Sequence, residues 1–221
     1  MKPCVSHQKT AAMTLVEVLV VFVVLVVLAA MFLSANDPRR WEAKAMRLNC
    51  VNNLKQIGIA YYIWADDHSG KYPFEISATN GGTMELSAEG KNSWLNFLVL
   101  SNELNTPKIL RCPADESRVA ATNFTTGFSA RNISYFVGLD ADTNHPQMFL
   151  SGDDNFAIGG VPVKSGLLEF STNALIAWTA ERHKNAGNIG RADWSVETPD
   201  NSGLTNLLQQ TGVATNRLAI P

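Results

Sequence analysis

No charged residue interrupts the chain from Val18 to Leu33, and the apolar stretch that begins at Ala11 holds one acid, Glu17. From Met13 onward it reaches the roughly 20 residues that a helix needs to cross the hydrocarbon of a bilayer. The pattern predicts a membrane-spanning helix over residues 13–33. A secretory signal has a shorter apolar core with small residues after it. Here the better small-residue pair, Ala11 and Ala12, comes before the run. Three readings stay open on this pattern: an uncleaved anchor, a cleaved export signal, and a segment cut at its polar end. The preceding residues carry Lys2 and Lys9 and no acid. By the positive-inside bias, that end stays in the cytoplasm and the rest of the chain lies outside it.

Beyond Leu33 the sequence SANDPRR interrupts the run, and Pro38 is compatible with helix only at the start of a new turn. Trp41, Ala45, Leu48, Val51, Leu54, Ile57, Tyr61 and Trp64 then recur at spacings of three and four, with Lys44, Arg47, Asn52 and Lys55 on the other face. That predicts an amphipathic helix, residues 34–67, continuing the first one and stopped by Gly70 and Pro73. Past Pro73 the pattern breaks into short pieces. Asn92–Leu104 reads as a helix with Trp94, Phe97, Leu98 and Leu104 inward. Ile133–Leu139, Asn173–Ala180 and Ile189–Glu197 read as strands, and a last helix has Ser202 as N-cap and Gly212 as its stop. Helix first and strands later, with hairpin-length connections, predicts an α+β fold. A long N-terminal helix packs on a small head, residues 68–221, with an antiparallel sheet.

Composition narrows the function. The formal net charge is -2 and the basic residues are scattered, which gives no electrostatic footprint for nucleic acid. The three cysteines, Cys4, Cys50 and Cys112, lack the close pairs typical of zinc sites. Metal held through sulfur is not expected on this spacing. Glu17 is the unusual residue, because a carboxylate in a membrane segment costs free energy and a plain anchor has no use for it. The bland reading places it at headgroup level.

Ala12-Met13-Thr14-Leu15-Val16-Glu17, followed by the apolar run, resembles the signature of type IV pilins and type II secretion pseudopilins. Two positions depart from that pattern: Ala12 stands where the family has Gly, and Met13 where it has Phe. The resemblance implies a leader, residues 1–12, removed by a prepilin peptidase between Ala12 and Met13, and N-methylation of the new Met13 amine. It also implies a pilin-like layout and assembly of the span into a filament, with Glu17 pairing with the terminal amine of a neighbouring subunit. The segments CVNNLKQIGIA, LRCPAD, SYFVGLDAD, LSGDDNF, RHKNAGNIGRADWSV and TNRLAIP resemble pseudopilin-like proteins of planctomycetes and verrucomicrobia. Many of these carry a His, nine residues, then Asp-Gly. His183 and Asp193 keep that spacing, with Trp194 in place of Gly.

The resemblance implies a structural subunit and not an enzyme. Its partners are other pilin-like subunits, the prepilin peptidase and the inner membrane, which it crosses once with its N-terminus cytoplasmic and its head periplasmic or extracellular. The alternative is a membrane-anchored extracytoplasmic enzyme or a sugar- or ligand-binding module. Loss of the leader removes Cys4 and leaves Cys50 and Cys112 in a compartment that permits disulfides. They are either bonded or two free buried thiols. His183 and Asp193 are expected to meet across a hairpin around KNAGN and fix its turn. The catalytic version, with Ser195 as nucleophile, lacks an accompanying elbow or oxyanion-forming turn. Asp140, Asp142, Asp153 and Asp154 lie in two acid-rich loops that are either a calcium site or solvated turns. No other cofactor is expected.

Overall fold

The computed structural model describes residues 13–35, 38–87, 90 and 92–221. The leader, with Cys4 and Ala12, lies outside the described residues. Contacts divide the chain into two compact units, Met1–Glu42 and Ala43–Pro221. The described part of the first unit is dominated by helix α1 (Leu15–Ala35). Its Leu15–Phe32 window has a mean hydropathy of 3.1 with 0% of it buried, so it is long and apolar enough to cross a membrane. A helix that is apolar on every side and this exposed needs an apolar surrounding. Helix α2 (Pro38–Asp67) starts at its proline, where the missing N–H costs nothing.

Within the second unit, α2 buries Cys50, Leu54, Ile57, Tyr61 and Trp64. Trp41, Ala45 and Leu48, expected on the same stripe, are exposed instead. Each step of three residues falls about 60° short of a full turn. A run of threes from Ala45 to Ile57 therefore walks round the helix, and its first members end up opposite Cys50. The predicted helix over 92–104 is broken into α4 (Ser93–Val99) and α5 (Ser101–Leu104), after a short α3 (Met84–Ser87). Buried Leu100 stands at the joint.

The head carries strands β1 (Tyr135–Gly138), β2 (Phe149–Asp153), β3 (Phe156–Ile158), β4 (Val161–Pro162) and β5 (Gly166–Ser171). It continues with β6 (Ile176–Trp178), β7 (Ile189–Arg191), β8 (Val196–Glu197), helix α6 (Asn201–Gln210) and β9 (Thr215–Ile220). One antiparallel sheet runs β5-β9-β1-β2-β7-β8 and a smaller one runs β4-β3-β6. The fold is thus α+β, with helix and antiparallel sheet. Side chains alternate between two cores. Tyr135, Val137, Leu150 and Ala219 face the core that holds α2, while Phe136, Phe149, Leu218 and Ile220 face the one that holds Leu204, Leu207 and Leu208 of α6.

Two sequence expectations change here. The segments around β6 and β7 do not pair across KNAGN: β6 joins β3 in the small sheet, and β7 joins β2 and folds back onto β8. The N-cap of α6 is Asp200, whose Oδ1 accepts from Gly203 N at 2.7 Å, while Ser202 Oγ donates to that same oxygen at 2.8 Å.

Strands β1 and β2 approach closely at Gly138, where an added Cβ would lie 1.8 Å from the Phe149 carbonyl oxygen. Gly138→Ala is therefore expected to cost about 1–3 kcal/mol by forcing the strands apart. The midpoint of urea unfolding measures it, and an unchanged midpoint would show that the pair can shift freely.

Candidate functional site

Two places in the chain gather chemistry, one in each unit. At the N-terminus, Thr14 caps α1. Its N–H donates to Glu17 Oε2 at 2.8 Å and its Oγ1 donates to the same oxygen at 3.1 Å. Glu17 N donates back to Thr14 Oγ1 at 3.3 Å. This is a capping box, Thr-x-x-Glu, which satisfies backbone donors that open the helix. The motif is legible in the sequence and supplies a local reason for the acid. Met13 immediately precedes this cap and is 67% exposed.

In the head, the side chains converge on a disulfide. Cys50 comes from α2, and Cys112 follows the one-turn helix Pro107–Leu110. The two are bonded, with their Cα atoms 5.4 Å apart and a sequence separation of 62. Against the sulfurs lie Asp153, at the end of β2, and His183. His183 Nε2 is 3.2 Å from Cys112 Sγ and 3.9 Å from Asp153 Oδ2. The loop that delivers the imidazole is unusual, because His183, Lys184 and Asn185 all take positive φ, at 51°, 55° and 61°. Such a run is costly for residues with a Cβ and is held by its surroundings. Asn155 Nδ2 grips it through the carbonyls of Arg182 and Ala186, at 3.3 and 3.2 Å.

Asn188 fixes Asp153. Its N and Nδ2 both donate to Oδ2, at 2.8 and 2.7 Å, and the Asp153 N–H donates to the Asn188 carbonyl at 2.9 Å. Burial pushes the Asp153 carboxyl up to about 6, against the pull of Arg182, the Asn188 donors and Arg47. Burial, aided by Arg47 and Arg182, pulls His183 down to about 4, so the imidazole is uncharged at neutral pH.

The expected pair of His183 and Asp193 does not form. Asp193 accepts from Ser195 N at 3.0 Å and from Ser195 Oγ at 2.6 Å at an exposed turn, while His183 faces Asp153 and Cys112. No triad of His183, Asp193 and Ser195 is assembled. Trp194 takes φ 63°, a conformation that favours Gly, and its ring lies against Tyr62 with centroids 4.4 Å apart. The four aspartates proposed for calcium do not gather either. Asp140 is engaged by Arg217 at 2.6 Å and Asp142 by His145 at 2.6 Å, while Asp154 pairs with Arg118 at 3.3 Å and with Arg182. Each carboxylate in the first loop has its own cation or donors, and Asp153 belongs to the buried group instead.

Beside that group runs a polar cleft of about 500 Å³, lined among others by Asp115, Arg118, Asp154, Ser165 and Arg182. Arg182 stitches it together, reaching Asp115 Oδ2 at 3.2 Å, Asp154 Oδ1, and the Ser134 carbonyl at 3.1 Å. Within it Arg118 and Arg182 are paired with Asp154 and Asp115, and Ser117 Oγ donates to Asp115 Oδ1 at 2.6 Å. Comparison with protein-family models, with curated proteins and with solved structures finds no match to this chain.

Proposed function

We propose that the protein is a pilin-like structural subunit, of the pseudopilin or type IV pilin kind. In this reading a prepilin peptidase cuts it at the cytoplasmic end of α1. The subunit then polymerises through that helix in the inner membrane, with the head on the far side. The observation that carries the reading is an α1 apolar on every side that follows Ala12, Met13 and the capping Thr14 and has an acid at its third position. The helix finds its apolar surroundings first in lipid and then among neighbouring copies. An ammonium on Met13 and the carboxylate of a neighbour's Glu17, each unfavourable alone in hydrocarbon, offset one another on stacking. The pairing sets the register of the assembly. The capping box holds the carboxylate at the helix start until such an amine arrives.

Because Glu17 also caps α1, the test has to separate capping from charge. Glutamine still accepts from the Thr14 N–H, so Glu17→Gln keeps the cap and removes the charge. Membrane insertion of Glu17→Gln is expected to equal that of the parent, and its recovery in cross-linked assemblies is expected to be lost. Normal incorporation would sink the charge-pairing role. Mass spectrometry of the protein from its native membrane is expected to show a chain that starts at N-methylated Met13. A chain retaining Met1, or one cut after Ala35, would overturn the subunit reading.

A further inference from the structure

A disulfide needs two cysteines and nothing else, yet this one is enclosed by a carboxylate and an imidazole. Asp153 is 0% exposed and the His183 side chain 1%. One oxygen of Asp153 is held by Asn188, while its Oδ1 has no hydrogen-bond partner. A buried carboxylate with an unpartnered oxygen is unfavourable unless something positive completes it. Among the described residues, Cys50, Cys112, Asp153 and His183 are the group whose ligand atoms all lie within 4.8 Å of one another.

We propose that, when the two sulfurs are reduced, Cys50, Cys112, His183 and Asp153 bind one zinc ion in tetrahedral coordination, as the alternative to the disulfide. Bond lengths of about 2.0–2.3 Å place the corners of such a tetrahedron about 3.3–3.8 Å apart. His183 Nε2 and Cys112 Sγ, 3.2 Å apart, are already near that spacing, and all four ligand atoms lie within 4.8 Å of one another. The sulfurs have to part, from Cα atoms 5.4 Å apart. Two sulfurs, one nitrogen and one oxygen form a borderline-soft set that suits zinc, whereas calcium and magnesium prefer oxygen throughout. Two thiolates and a carboxylate outweigh a dication by one negative charge. Arg47 and Arg182 act on both His183 and Asp153 and offset it. Asn188 orients the carboxylate as an outer-shell partner does. With four protein ligands the site is closed and structural.

The exchange balances. The disulfide takes two electrons from the reductant to give two thiols. A dithiol also gives the two protons and becomes a disulfide, whereas a phosphine becomes its oxide and the protons and oxygen come from water. Zinc then displaces both thiol protons to solvent. The cysteines lack the close sequence spacing of zinc sites, but the fold brings them together with His183 and Asp153.

The test uses the full chain in detergent, carrying Cys4→Ser so that the cluster holds the only thiols. After phosphine reduction and exchange into anaerobic buffer, Co²⁺ is expected to give the visible bands of a tetrahedral site with sulfur charge-transfer absorption. One equivalent of Zn²⁺ is expected to bleach them and raise the thermal midpoint. Asp153→Asn and His183→Gln, each checked for native circular dichroism, are expected to weaken zinc binding by at least tenfold. The oxidised protein is expected to bind neither ion. Three results would each overturn the proposal: no cobalt spectrum in the reduced parent, equal binding by oxidised and reduced protein, or full affinity in both folded variants. If one variant does not fold, the other decides the ligand assignment.

Discussion

Arg182→Met is expected to destabilise the head by about 3–5 kcal/mol at neutral pH, because it strands charges that the fold has already taken out of water. The Arg182 side chain is 8% exposed and its partners Asp115 and Asp154 are 4% and 5% exposed. Asp154 keeps Arg118 at 3.3 Å, whereas Asp115 loses its cation. In the parent, burial would raise the Asp115 carboxyl, but Arg182 and the Ser117 donors hold it below the usual carboxylate range. That depressed value contributes stability above the unfolded pKa, and the contribution is lost as pH falls through the folded one. In the variant burial prevails and the sign reverses. The carboxyl is then raised, its contribution is present at low pH, and it is lost as pH rises through the folded value. The penalty is therefore expected to be largest at pH 7 and to shrink towards pH 4, as read by urea unfolding at several pH values. A penalty that is flat with pH, or below about 1 kcal/mol, would mean that Arg182 packs without holding charge.

What could be read from the sequence followed from how locally each feature is determined. The membrane-length helix depends on composition alone, and α1 appeared where the run predicted it. The start of α2 at Pro38 follows from proline chemistry. Strand β2 was missed because Phe149–Asp153 reads FLSGD, a segment whose Ser, Gly and Asp signal a turn. It lies inside the sheet, between β1 and β7 with both faces covered, so no polar alternation marks it. Read as part of a loop, Asp153 falls in with the acidic turns. The pairing of His183 with Asp193 fails for a different reason, that the segments flanking KNAGN join different sheets. The Cys50, Cys112, Asp153 and His183 group draws on α2, a loop, a central strand and a turn of positive φ. No spacing rule encodes such a set.

Reduction of the Cys50–Cys112 bond, with a chelator present to keep metal away, is expected to remove about 4 kcal/mol from the stability of the head. The cross-link joins residues 62 apart, so its loss chiefly enlarges the conformational freedom of the unfolded chain. Both cysteines are fully buried in the core that holds Leu54, Ile57 and Tyr61. The folded state should therefore keep its circular dichroism, while the urea midpoint falls and the slope rises as the unfolded ensemble expands. A Cys50→Ala, Cys112→Ala double variant should match the reduced protein, which separates the cross-link from effects of free thiols. A loss under about 1 kcal/mol with an unchanged slope would show that the unfolded chain is already compact between these residues. The same measurement with zinc in place of the chelator then becomes a comparison of two closures of one loop. Whatever stability the ion returns to the reduced parent, and does not return to the double variant, belongs to the four-residue group and not to the packing around it.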